Sequence, residues 1–170
     1  MLHQEGYWHD YSSDRPTVPA DLDANLWLPQ AKAYRVTGFS LGSYTSSPYA
    51  GYEVDDTDGF GPETIWMTSP YQGTYIFGAV DFTDFHDNTK GIAGTNGQVK
   101  VYDGSQPLIK TYTVPASGNG DWWYVLDLNG ATSMITVKNQ VGPDYPAPYA
   151  TLSNGRDTPI GPKKTTSVPK

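Results

Sequence analysis

The chain reads as an all-β protein, an antiparallel β-sandwich of Ig-like or jelly-roll-like type with extended N- and C-terminal arms. Three observations predict this. The 170 residues include 13 Tyr, 5 Trp, 5 Phe, 18 Gly and 14 Pro against only 17% charged residues, a profile rich in strand formers and turn formers. No stretch keeps apolar residues at three- and four-residue spacing over ten positions without Gly or Pro, and the best candidate, Leu22 to Lys32, is broken by Pro29. Short β-branched and aromatic runs recur along the chain, separated by turn dipeptides such as Asp103-Gly104, Asn119-Gly120 and Asn129-Gly130.

In chain order, strands are expected near Asn25 to Trp27, Ala33 to Gly38, Thr64 to Met67, Gly73 to Asp81, Gly97 to Asp103, Gln106 to Val114, Trp122 to Asn129 and Ser133 to Lys138. Period-two alternation is clearest for Val99/Val101 against Lys100/Tyr102, Trp123/Val125 against Tyr124/Leu126, and Ile135/Val137 against Thr136/Lys138. Residues 19–139 therefore form the expected sandwich domain. Residues 1–18 are expected to be an N-terminal extension, aromatic but without pattern. Residues 140–170 hold six of the prolines and read as an extended, polyproline-like extension or linker, because proline fixes φ and cannot donate to a ladder. That last stretch has four Lys/Arg and two Asp, so the overall charge of −7 separates into a body of −9 and a tail of +2.

Composition excludes several functions. Without Cys there is no disulfide, thiolate nucleophile or thiolate metal site. The acidic balance argues against nucleic acid, whose phosphates require a basic face. No apolar run reaches the roughly 18 residues of a spanning helix, and the start Met1-Leu2-His3-Gln4-Glu5 lacks a signal peptide's apolar stretch. There is no Gly-x-Ser-x-Gly elbow, His-Glu-x-x-His helix or phosphate-cradling Gly loop. His86, among Asp84 and Asp87, reads as a loop residue, and Asp127 could pair with another carboxylate for glycoside hydrolysis, a mechanism that depends on a separation sequence does not give. No catalytic residue is assigned.

The densest acidic segment runs from Glu53 to Glu63 and places five carboxylates in eleven residues without a Lys or Arg. Such crowding raises the free energy unless water screens it or a cation binds. Calcium takes six to eight hard oxygen ligands, and Asp56-x-Asp58-Gly59 followed by Glu63 supplies carboxylates on a glycine-bearing loop. Asp21-Leu22-Asp23 points two more carboxylates to one side of an extended segment. The candidate metal ligands are thus Asp21, Asp23, Asp56, Asp58 and Glu63, with Ca2+ as the expected ion. Trp122, Tyr124 and Trp66 are candidate ligand-binding aromatics that could stack on a sugar ring.

These blocks resemble the YfaP-type β-sandwich module of bacterial cell-surface and secreted proteins. The resemblance rests on Pro19-Ala20-Asp21-Leu22-Asp23-Ala24-Asn25-Leu26, then Asp56-Thr57-Asp58-Gly59-Phe60-Gly61-Pro62-Glu63-Thr64-Ile65 and Gly73 to Asp81. Val99-Lys100-Val101-Tyr102, Val114-Pro115, Trp123 to Gly130 and Ile135-Thr136 follow in the same order. Asn25 stands where the module has His and Phe60 where it has Tyr. The resemblance implies a sandwich whose two acidic segments lie together, plausibly around calcium, and implies no enzyme activity. The expectation is therefore a non-enzymatic, extracellular, calcium-stabilised structural or adhesive subunit at the cell surface or in a filament, partnered by itself or another surface protein, with its terminal arms as the candidate route of assembly. A glycan-binding module using the surface aromatics is the alternative.

Overall fold

The computed structural model describes residues 2–7, 21–56, 62–82, 91–104 and 108–144. Eleven strands make up the described secondary structure, apart from one 3-10 turn at Gln30–Lys32. They are β1 (Leu2–Tyr7), β2 (Leu22–Trp27), β3 (Arg35–Val36), β4 (Gly42–Ser43), β5 (Ala50–Tyr52), β6 (Pro62–Met67), β7 (Thr74–Asp81), β8 (Gln98–Asp103), β9 (Leu108–Thr113), β10 (Trp122–Asn129) and β11 (Ile135–Gly142). One sheet has the order β4-β5-β6-β1-β8-β9 and the other β11-β10-β7-β2-β3. Every strand pairing is antiparallel. The all-β antiparallel sandwich is therefore the architecture of the chain.

Alternation builds the core. Leu22, Ala24 and Leu26 of β2, Tyr75, Phe77 and Ala79 of β7, and Trp123 and Leu128 of β10 face inward, where they meet Val99 and Val101 of β8 and Ile65 and Met67 of β6. On β10 the expected alternation of Val125 and Leu126 gives way. The register shifts between Tyr124 and Leu126 against both neighbours, and this bulge turns both Val125 and Leu126 into the core. Asn129 closes the β10–β11 turn, its side chain accepting hydrogen bonds from the N–H groups of Ala131 and Thr132 at 2.9 and 3.1 Å.

Two boundaries differ from the sequence expectation. Leu2–Tyr7, expected in an extension outside the sandwich, is the strand that joins β6 to β8 in the middle of the six-stranded sheet. Its Leu-His-Gln-Glu-Gly-Tyr sequence carries too few β-branched residues to register as a strand. β11 continues past residue 139 to Gly142, because Gln140 and Val141 keep pairing with Tyr124 and Trp123. The remainder of both arms, 8–20 and 145–170, lies outside the described residues.

β3 has only two residues and pairs only with Leu26 and Trp27. Among the described residues no strand pairs with Leu22 to Asn25 on that side, while β7 pairs with the other side of β2 throughout. β2 and β6 also pack against each other across the sandwich. This edge of one sheet is thus brought up to the side chains of the other.

Candidate metal centre

Backbone N–H groups on a strand edge need acceptors. Glu63, the second residue of β6, supplies one: its Oε2 accepts a hydrogen bond from the Ala24 N–H at 2.6 Å, fully inside the protein. Asp21 and Asp23 flank that amide on the face of β2 opposite Leu22 and Ala24, as their two-residue spacing predicts. One carboxylate oxygen from each of Asp21, Asp23 and Glu63 lies within 4.8 Å of the others. The three side chains are only 8%, 3% and 1% exposed.

At an effective dielectric of about 20, two unit charges 4.8 Å apart repel by about 3.5 kcal/mol. Burial pushes the Glu63 carboxyl well above the usual carboxylate range, the charge of Asp23 adds to the shift, and the Tyr52 hydroxyl and the Ala24 N–H oppose it. Tyr52, on β5 beside Glu63, has its phenol raised well above its ordinary value, first by burial and then by the charges of Glu63 and Asp23. The Tyr52 hydroxyl lies near enough to the Glu63 carboxyl to interact with it, yet among the described residues neither it nor Glu63 Oε1 has a hydrogen bond of normal length. The pocket thus combines carboxylates that repel with polar oxygens turned inward, the electrostatic environment that a cation would relieve.

Three of the five candidate ligands, Asp21, Asp23 and Glu63, come together from segments far apart in the chain. Asp56 is half-buried but stands outside that group. Asp58 lies outside the described residues. Asp55, not singled out in the sequence, sends its charge toward both Glu63 and Tyr52. It fits because residue 38 is glycine; a Cβ there would lie 2.4 Å from Asp55 Oδ1. Tyr52 was also missed, since nothing distinguishes it in sequence from the other tyrosines of its segment. Asp81, the last residue of β7, and Asp121, which immediately precedes β10, are buried as well. The Asp81 N–H donates to the Asp121 carbonyl at 2.9 Å, and the Phe82 N–H to the Asp21 carbonyl at 2.9 Å.

The aromatic candidates do not form a platform. Trp122 is buried and tilted against Trp27, with ring centroids 5.6 Å apart. Tyr124 is half-buried and donates its hydroxyl to Asp127. Trp66, on the other sheet, donates its indole N–H to Glu53. A sugar-stacking surface built from these three is thereby corrected: alternation and cross-strand packing use two of them on one sheet face and the third elsewhere. Asp127 faces Lys138 at 3.1 Å, so it has a cation and not a second carboxylate beside it. His86 lies outside the described residues.

No family model matches the chain, and no curated protein sequence matches it. Among solved structures, a homologue of the telluride resistance protein TerD from Streptomyces coelicolor A3(2) has the same fold. It matches with a TM-score of 0.53 and 15% sequence identity, over 91% of this chain and 95% of its own. The likeness overturns the expectation of an extracellular structural or adhesive filament subunit, since the sandwich is shared almost end to end with a protein described by telluride resistance. Among the described residues no helix is long and apolar enough to cross a membrane.

Proposed function

We propose that the protein is a non-catalytic, calcium-binding β-sandwich of the telluride-resistance type, in which one ion held by Asp21, Asp23 and Glu63 joins the two sheets. The supporting observation is the buried carboxylate group itself, which draws ligands from β6 of one sheet and from the segment starting β2 of the other. The oxygen-only donor set favours a hard cation, and the chain has no Cys to recruit a softer one. Calcium suits the site better than magnesium. It accepts irregular sets of carboxylate, carbonyl and water oxygens at about 2.3–2.6 Å, whereas magnesium requires near-octahedral geometry and gives up water reluctantly.

Asp21, Asp23 and the inward Oε1 of Glu63 would bind the ion directly, while Glu63 Oε2 keeps its hydrogen bond to the Ala24 N–H. One carboxylate would thus hold both the strand edge and the cation. The ion supplies positive charge that offsets the mutual repulsion of the carboxylates. By analogy with the TerD homologue, the folded, ion-loaded protein serves cellular tolerance of telluride.

Isothermal titration with Ca2+ and with Mg2+ after chelator treatment tests the site. The expected result is one Ca2+ per chain, weaker Mg2+ binding, and loss of both in Glu63→Gln and Asp23→Asn. Absence of binding at millimolar Ca2+ by a folded wild-type protein would overturn the reading. Growth of cells expressing wild-type or Glu63→Gln chains on a tellurium salt then tests the cellular role separately.

A further inference from the structure

Tyr52 brings a polar atom into the carboxylate pocket from a strand that supplies none of the three carboxylates. Its place is set by the pairing of β5 with β6. Tyr52 is the register partner of Ile65, and the ladder continues where the Glu53 N–H donates to the Thr64 carbonyl at 2.9 Å. Glu63 lies two residues before Ile65 and so shares its face of β6. Tyr52 and Glu63 are therefore diagonal neighbours on one side of the strand pair, a spacing that a long aromatic side chain bridges. The tyrosine is only 5% exposed and belongs to the apolar core between the sheets. Its hydroxyl is the polar tip of that core. Among the described residues neither this hydroxyl nor Glu63 Oε1 has a hydrogen bond of normal length.

We infer that Tyr52 is a positioning residue of the ion centre, its hydroxyl donating to Glu63 Oε1 when the cation is bound and so holding that carboxylate toward it. This rests on Asp21, Asp23 and Glu63 holding the ion, as proposed above. A glutamate side chain rotates about several bonds, and a carboxylate that is fixed beforehand loses less freedom when it meets an ion. The Ala24 N–H fixes Oε2 at 2.6 Å. A second donor at Oε1 fixes the plane of the carboxylate, and the remaining lone pair of Oε1 stays available to the ion.

The chemistry of the donor matters as much as its place. A Lys or Arg at this position would pair with the carboxylates itself and compete with the cation. A phenol donates one hydrogen bond and brings no charge. Its ring is also rigid, and packing in the core confines the hydroxyl to one region of the pocket. The apolar interior thereby serves as the anchor from which a metal-binding carboxylate is aimed.

The test compares the full-length wild type with Tyr52→Phe, by calcium titration after chelator treatment and by denaturant unfolding in chelator. The substitution removes the hydroxyl and leaves the ring in the core. Calcium affinity is expected to fall about 10–100-fold, the usual loss when a donor to a metal-binding side chain is removed, with one ion still bound per chain. The ion-free unfolding midpoint is expected to match wild type or to rise, because the hydroxyl that is lost has no hydrogen bond of normal length in the ion-free chain. A tyrosine with a structural role alone would do the reverse, lowering ion-free stability and leaving the affinity unchanged. Unchanged affinity, or a Tyr52→Phe chain that no longer folds in chelator, would overturn the inference and leave the carboxylate site standing. A folded wild-type protein that binds no calcium would overturn the site and the inference together.

Discussion

The two sheets are joined in two physically opposite ways. Through most of their overlap they meet over a neutral interior in which Trp123, Phe77, Leu26 and Val99 are almost fully buried. At the edge of β2 they meet over three buried carboxylates instead. The first contact stabilises by removing apolar surface from water, under almost any solution condition. The second is unfavourable as drawn and becomes favourable only with a proton or a cation present. One sandwich thus has a fixed seam and a conditional one, and experiments that change solution composition separate them.

The largest effect belongs to the fixed seam. Trp123→Ala is expected to cost about 3–5 kcal/mol in denaturant unfolding, by the same amount with and without calcium. A cost that shrank on adding calcium would mean that the two seams are coupled. Next comes removal of the ion. On the proposed reading, calcium at 100 times its dissociation constant is expected to add about 2.7 kcal/mol to stability. Chelator-treated wild-type protein is expected to lose that increment, whereas Glu63→Gln is expected to be insensitive to chelator. The neutral amide keeps an oxygen for the Ala24 N–H, so the ion-free variant is expected to be no less stable than ion-free wild type near neutral pH.

A smaller effect follows from protons. The Glu63 carboxyl is raised in the folded protein, so its proton is held more tightly there than in the unfolded chain. The stabilisation this gives the ion-free protein is complete below the ordinary carboxylate range and fades as pH rises through the raised folded value. The slope approaches about 1.4 kcal/mol per pH unit. Thermal melts from acid to neutral pH check this: the decline is expected in chelator, and it is expected to vanish in Glu63→Gln. Calcium affinity is expected to rise over the same interval, since binding displaces the proton. Smallest is Lys138→Ala at the surface pair with Asp127, expected to cost below about 1 kcal/mol and to weaken further in salt.

The fixed seam was largely legible in the sequence because alternation is a local signal. Val99 and Val101 turn inward as their spacing says, and β10 spans the expected Trp122–Asn129. The bulge escaped because one extra residue in a strand leaves no compositional trace. β4 and β5 escaped because two- and three-residue strands are set by their partners and not by their own propensity. The conditional seam was half legible. The spacing of Asp21 and Asp23 puts both carboxylates on one face, and Glu63 belonged to the acidic run. Which carboxylates of that run reach Asp23 depends on where β6 begins and on how short β3 is, and both are tertiary facts. Tyr52 and Asp55 are functional neighbours for the same reason.

The central position of β1 has a consequence for the order in which the molecule is made. Leu2 pairs with Met67 on one side and with Asp103 on the other, so β1 is synthesised before both of its partners and waits for them before its ladders can close. Contacts so distant along the chain pay for loop closure before they gain from it, and they slow folding. Until β8 arrives, β1 can pair with β6 alone, and its other edge lies open. That edge accepts a strand of about six residues, which makes the early chain open to pairing in trans with a β8 peptide.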